Sequence, residues 1–225
     1  MDALAWAALS LAFLCALIIA IDYARHRQKM WIMYVVWPVT ALYFGPVALA
    51  VYYKLRPHTA KQPDARSQAG QGENNEGPKP LQITAAVYHC GAGCTLGDIA
   101  GAWVVFMLGW TFAGAAFQTE LVVDFIFAFV LGILFQYFTI APMRGLGLGK
   151  GIVAALRADT ASLIAFEIGL FAWMAISRFA IFRAEIHPTS PVHWFMMQIG
   201  MILGFFTAYP VNKWLILKGW KEKMG

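Results

Sequence analysis

Tyr88-His89-Cys90-Gly91-Ala92-Gly93-Cys94-Thr95-Leu96-Gly97-Asp98 stands where a polar stretch gives way to apolar runs, and its reading decides where the following helices begin. It holds two of the chain's three cysteines and one of its five histidines. Thr95-x-x-Asp98 has the spacing of a capping box, in which two side chains satisfy backbone N–H groups at a helix start, so a helix is expected to open at Thr95. On that reading Cys94 lies just before the helix and Cys90 in a glycine loop, with His89 beside it. Two thiolates and an imidazole are soft donors that suit Cu(I) or Zn(II), and the glycines would let the loop wrap an ion. Cys-x-x-x-Cys is looser than the paired Cys-x-x-Cys of zinc modules. The alternatives are a disulfide, or small buried cysteines beside a glycine packing surface with Asp98 as a cap only. Cys15, midway through the first apolar run, reads as filler.

Outward from this stretch, the 225 residues are 60% apolar and only 13% charged, and several runs reach the ~20 apolar residues a helix needs to cross a bilayer. Spans are expected over Ala3–Tyr23, Trp31–Tyr53, Ile99–Phe117, Leu121–Ala141, Thr160–Phe182 and Val192–Leu217. The first run lacks the basic start and cleavage pattern of a signal peptide and reads as a retained helix. Pro38 and Pro46 should kink the second span. The fold expected is an all-α integral membrane protein of about six transmembrane helices. It divides into an N-terminal two-helix unit (residues 1–53), a disordered polar linker (54–84) and a four-helix membrane domain (85–225). Gln118-Thr119-Glu120 would join two spans in a tight hairpin. The glycine-rich Arg144–Lys150 loop lacks the Gly-Lys-Ser/Thr of a phosphate loop, and residues 151–159 are either an interfacial helix or the start of the fifth span.

The net charge of +5 gathers at span ends, which fits lipid headgroups rather than nucleic acid, since no basic stripe interleaves with aromatics. With six spans both termini share a side with the linker, and the positive-inside count makes that side cytoplasmic. The basic turn Arg25-His26-Arg27-Gln28-Lys29 after the first helix argues the reverse. The membrane expected is a bacterial inner membrane with a cytoplasmic C-terminus.

Two further groups carry possible chemistry. Ser190 as N-cap and Pro191 as first residue open the last helix, placing His193, Met197 and Met201 on one stripe of soft donors, with His187 just ahead. Packing is the plainer reading of the methionines, and Met196, Gly200, Gly204 and Ala208 form a neighbouring small-residue face for a helix partner. Glu167 is the most internal carboxylate. A charge there must face the bundle, paired or protonated, and Asp124 and Gln136 could meet it, with Asp159 nearer the surface. Hydrolase, zinc-protease and haem-attachment signatures are absent, so an enzyme is not the expectation.

His89–Asp98, Pro142-Met143-Arg144-Gly145-Leu146, Ala158-Asp159-Thr160 with Ser162-Leu163, His187-Pro188-Thr189-Ser190-Pro191 and Tyr209-Pro210-Val211-Asn212 occur in an order that resembles the bacterial membrane-protein family catalogued as domain of unknown function 4396. The resemblance covers about Ala85 to Met224, with a mild departure at Lys213, where an aromatic is expected. It implies a compact four-helix membrane domain behind an N-terminal helix pair, and no ligand or activity. From the residues themselves, the expected function is binding or transport of a soft metal ion, copper ahead of zinc. His89, Cys90, Cys94, His187, His193, Met197 and Met201 would be ligands. The alternatives are a non-catalytic module packing against partner membrane helices or a second copy, and a proton-coupled carrier of a small solute centred on Glu167.

Overall fold

The structure is a computed structural model that describes residues 1–25, 31–59, 78–112 and 115–221, the side chains of 56–59 excepted. The described residues form helices and no strand. The helices are α1 (Asp2–Arg25), α2 (Met33–Phe44), α3 (Pro46–Thr59), α4 (Pro80–Leu108), α5 (Ala116–Arg144), α6 (Leu148–Ile176, continued as a π-helix over Ser177–Phe182) and α7 (Pro191–Leu217). Five of them are long and apolar enough to cross a membrane: α1, α4, α5, α6 with its π-helical continuation, and α7. The protein is an all-α multi-pass membrane protein, and among the described residues the stretch expected as a second span, Trp31–Tyr53, is not one of these five helices.

The expected second span is broken. Gly45 takes φ +52°, a conformation that side chains resist, and Pro46, which has no N–H to give, opens a new helix. The Gly45 N–H closes α2 on the Ala41 carbonyl at 2.9 Å. At 12 residues α2 is only ~18 Å long, short of the hydrocarbon core. Tyr52 packs edge-to-face on Trp37 with ring centroids 5.4 Å apart and donates its hydroxyl proton to Asp22. In a continuous helix those rings would lie ~22 Å apart, so α3 folds back beside α2. Pro38 stays inside α2. The pair is a hairpin whose tip, at Gly45, reaches Ala12 midway along α1. Such a device is tolerated at membrane depth when protein covers it. Here α1, α4 and α7 do so, and Gln198 of α7 donates to the Leu42 carbonyl near the tip at 2.6 Å.

The Tyr88–Asp98 stretch is not a loop followed by a helix start. It lies in the middle of α4, which opens at Pro80, with Lys79 as N-cap and the Gln82 side chain accepting from the Lys79 N–H. The glycines do not break the helix because they form its contact face. Gly93, Gly97 and Gly101 recur every fourth residue and meet Gly132, Ala128 and Asp124 of antiparallel α5. A Cβ on Gly93 would lie 2.7 Å from the Gly132 Cα. Thr95 bonds back to the Gly91 carbonyl at 2.7 Å, as a helix-interior threonine does.

This moves the next boundaries. α4 ends at Gly109 (φ +60°), and Gln118, Thr119 and Glu120 are the first turns of α5 rather than a hairpin loop. The loop after α5 is short, and residues 151–159 belong to α6. The linker expected over 54–84 is helical at both ends, and its centre, 60–77, lies outside the described residues. Ser190 caps α7 as expected, accepting from the Val192 N–H at 3.3 Å.

The bundle has two ends. Ala5 packs with Val192 and Met196, which puts the start of α1 beside the start of α7. We call this the N-side. The opposite C-side holds the ends of α1, α3, α5 and α7 and the starts of α2, α4 and α6. With five spans, Asp2 and Lys221 lie at opposite ends, contrary to the expectation of both termini on one side.

Candidate functional site

The interior carries a line of carboxyl groups between the two ends. Glu120 and Asp124 are one turn apart on α5, Asp98 projects from α4, and Glu167 from α6. Asp124 interacts electrostatically with Glu120 and Glu167, and Asp98 with both Asp124 and Glu167. Gly101 makes the approach possible, because a Cβ there would strike the Asp124 carboxylate. Asp98 is fully buried, Asp124 and Glu167 nearly so. Both oxygens of Asp98, both of Glu167 and Oδ1 of Asp124 have no hydrogen-bond partner among the described residues. The Cys94 thiol approaches Glu167 without closing a hydrogen bond. The Tyr43 hydroxyl, from the hairpin tip, points at Gly91 beside the two thiols and is also unpartnered.

At the N-side the line meets a cavity of about 280 Å³ between α4, α5, α6 and α7, bordered by Glu120, Arg178, Glu185 and His193. The His193 Nδ1 donates to the Ile186 carbonyl at 3.1 Å. The neutral ring therefore presents the lone pair of Nε2, which lies 3.7 Å from Glu120 Oε1. Arg178 pairs with Glu185 at 2.5 Å and lies over the Phe117 and Phe179 rings.

At the C-side the interior is sealed. Lys221 donates to Asp159 Oδ1 at 2.7 Å, and neither side chain reaches solvent. The turn after α7 makes this contact. Gly219 takes φ +69°, and the Trp220 and Lys221 N–H groups return to the Leu215 carbonyl, which swings Lys221 inward. Leu163, on the same face of α6 as Asp159 and Glu167, separates the ion pair from the carboxyl cluster. Nearby, Thr139 sends its proton to the Phe135 carbonyl and accepts from His89 Nε2–H at 2.7 Å. Asn212 donates to Ser162 at 2.5 Å, and the buried Gln136 amide has no partner among the described residues.

The seven residues expected as metal ligands fall in three places. Cys90 and Cys94 are free thiols in mid-bundle, next to Met201, whose sulfur lies 3.5 Å from the Thr95 hydroxyl. Met197 packs in the core beside them. His89 turns to another face of α4, toward α5. His193 and the exposed His187 sit at the N-side. Among the described residues, no three His, Cys, Asp or Glu side chains group as a metal site. Glu167, Asp124, Asp159 and Gln136 are all interior, and Asp124 lies within electrostatic range of Glu167. Sequence reasoning misses Asp98, Glu120, Lys221 and Tyr43 as interior groups. The cap reading hides Asp98, whose one available signal is the four-residue glycine repeat ending at Gly101, which marks a helix face rather than a loop.

Five spans, a folded-back helical hairpin and a carboxyl-bearing interior define a multi-pass helical membrane protein. Residues 81–221 match the family described as Domain of unknown function (DUF4396), and the chain belongs to that family. The α1–α3 unit lies outside the match. No curated protein and no solved structure matches the chain.

Proposed function

We propose that the protein is a proton-coupled carrier of a small solute, with Asp98, Asp124 and Glu167 as its proton-binding groups. One observation carries this reading: three buried carboxyls within electrostatic range of one another, five of whose oxygens have no hydrogen-bond partner among the described residues. Unpaired carboxylates this far from water cost several kcal/mol each, on the order of the penalty for any buried ion, so a proton or a cation must accompany them. The broken α2–α3 hairpin, whose Tyr43 reaches the helix face that carries Cys90 and Cys94, is the kind of discontinuous helix that carriers place at mid-membrane sites. The cavity opens toward the N-side and the Lys221–Asp159 pair closes the C-side, as alternating access requires of one end-state. In vesicles bearing a pH gradient, purified protein should support proton flux, and Glu167→Gln or Asp98→Asn should reduce it at least ~100-fold, to the level of protein-free vesicles. Wild-type flux in both variants would remove the reading.

The soft-metal reading has less support, since its ligands lie apart and only Cys90, Cys94 and Met201 share a neighbourhood. The glycine-face reading loses its surfaces: α4 uses its stripe against α5, and Gly200 and Gly204 of α7 close on Leu170 and Phe166 of α6.

We place the C-side in the cytoplasm of a bacterial inner membrane. Arg25, Lys54, Lys79, Arg144, Lys150, Arg157, Lys213, Lys218 and Lys221 all sit at that end, against Arg178 and Arg183 at the other. The conflict between the first turn and the later loops disappears because the hairpin returns the chain to the side it left. A membrane-impermeant maleimide applied to intact cells should label Ala184→Cys at least ~10-fold more than Gly147→Cys, both exposed positions, with the native buried thiols silent. Equal or reversed labelling would invert the topology.

A further inference from the structure

We infer that the N-side cavity is a binding site for a small aromatic or aliphatic amine in its ammonium form. The proposal deepens the carrier reading, on which only the ligand's role as transported solute rests; the binding itself stands on the cavity.

The cavity's charges are Glu120 and Glu185 against Arg178, one negative in excess. Glu185 engages Arg178 directly, and the guanidinium is further held over two phenyl rings. Glu120 feels the same guanidinium but makes no ion pair with it, and remains the acceptor facing His193. His193 is 1% exposed, and its Nε2 has no hydrogen-bond partner among the described residues. The Ile186 carbonyl fixes the proton on Nδ1, so Nε2 also accepts. Two acceptors 3.7 Å apart with no donor between them call for a group bearing several N–H bonds and a positive charge, which an ammonium supplies. Beside His193 a carboxylate or phosphate ligand would meet Glu120 and a lone pair and be repelled, while Arg178 is already paired with Glu185. A metal ion is not favoured, since no three His, Cys, Asp or Glu side chains group as a metal site among the described residues.

The remaining wall suits the organic part. Phe106 and Trp110 line it with aromatic side chains that suit a cation or an apolar body, and Val105 and Met196 complete an apolar floor. At about 280 Å³ the space fits a monoamine of one ring or a short chain. Asp124 lies one turn deeper than Glu120, so an ammonium bound here also faces the proton-binding cluster. Protonation of that cluster would weaken the hold on the ammonium and deprotonation would strengthen it, which couples the two without direct contact.

The probe is benzylamine, added to the full-length protein in lipid nanodiscs, with benzyl alcohol and benzoate as neutral and anionic counterparts. Saturable quenching of tryptophan fluorescence, accompanied by a rise in thermal stability, is expected for benzylamine alone. Glu120→Gln should weaken it at least ten-fold, and Glu120→Asp should retain most of it. If Glu120→Gln lowers the stability of the unliganded protein, Ala116→Phe, which fills the cavity from its rim and alters no charge, must abolish binding by itself. Binding of benzoate as tight as that of benzylamine, or binding undiminished in Ala116→Phe, overturns the proposal. Glu167→Gln separates the two ideas. Benzylamine binding retained while flux is lost supports both. Flux that depends on Glu167 in a protein that never binds benzylamine sinks the cavity proposal alone, and binding with flux indifferent to Glu167 leaves the cavity and removes the relay.

Discussion

Gly97→Val should prevent the protein from being recovered as a folded, monodisperse species. A Cβ at this position would overlap the Ala128 backbone and come within 2.7 Å of the Phe127 carbonyl carbon. The obstacle is rigid main chain of α5, not the end of a side chain that can turn away. α4 and α5 would have to separate along their contact, opening the Gly93–Gly132 and Gly101–Asp124 approaches as well. Close packing of small residues is a principal attraction between helices in a bilayer, where lipid is as apolar as leucine. The cost is set at the top of the range for overpacked cores, ~3 kcal/mol or more, and a valine's branched methyls add to it. Thermal unfolding in detergent, followed by size exclusion, checks this. Gly147→Ala, where nothing lies within 4 Å, should be indistinguishable from wild type. A Gly97→Val protein as stable as wild type would mean that the α4–α5 contact is not as described.

Lys221→Ala should destabilise the protein by about 3–5 kcal/mol, the usual cost of leaving one partner of a buried ion pair alone. Lys221 follows the last helix, where a truncation would ordinarily be harmless. Here its ammonium is fully buried on Asp159 Oδ1, and Asp159 Oδ2 has no hydrogen bond among the described residues. Replacing both partners, as Lys221→Met with Asp159→Leu, should recover most of the loss, because desolvation of the pair offsets much of its attraction. The four-way comparison of unfolding midpoints gives the coupling energy directly. Additive losses in the double variant would show that the two side chains do not act as a pair. The Trp220 ring, with Arg157 5.5 Å from its centroid, also packs edge-to-face against Trp214 and anchors the turn, so Trp220→Ala should weaken the same closure less severely.

The chemistry of the interior is partly legible in the amino-acid sequence. A carboxylate inside an apolar run stands out, and Glu167 with Asp124 is a natural pair. Asp98 does not stand out, because Thr95-x-x-Asp98 satisfies the local rule for a helix start and the glycines before it satisfy the local rule for a loop. Local rules cannot tell a glycine that breaks a helix from one that lets a second helix approach, since the difference lies in what faces it. That single ambiguity displaces the third span by about one and a half dozen residues and turns Glu120 from a wall of a cavity into part of a loop.

By itself the sequence determined that this chain is helical, crosses a membrane several times and belongs to its family, because the length of an apolar run and the order of motifs are properties of the chain read along its length. It also determined the cap of α7 and a disturbance of the second apolar run at Pro46. Only the tertiary structure decided that this break reverses the chain rather than kinking it, that the described ends lie on opposite faces, and that Asp98, Asp124 and Glu167 share one interior while the proposed metal ligands do not. Those outcomes depend on which helix faces which. The glycine contacts between α4 and α5 and the Trp37–Tyr52 and Lys221–Asp159 contacts set that choice through pairs far apart in sequence.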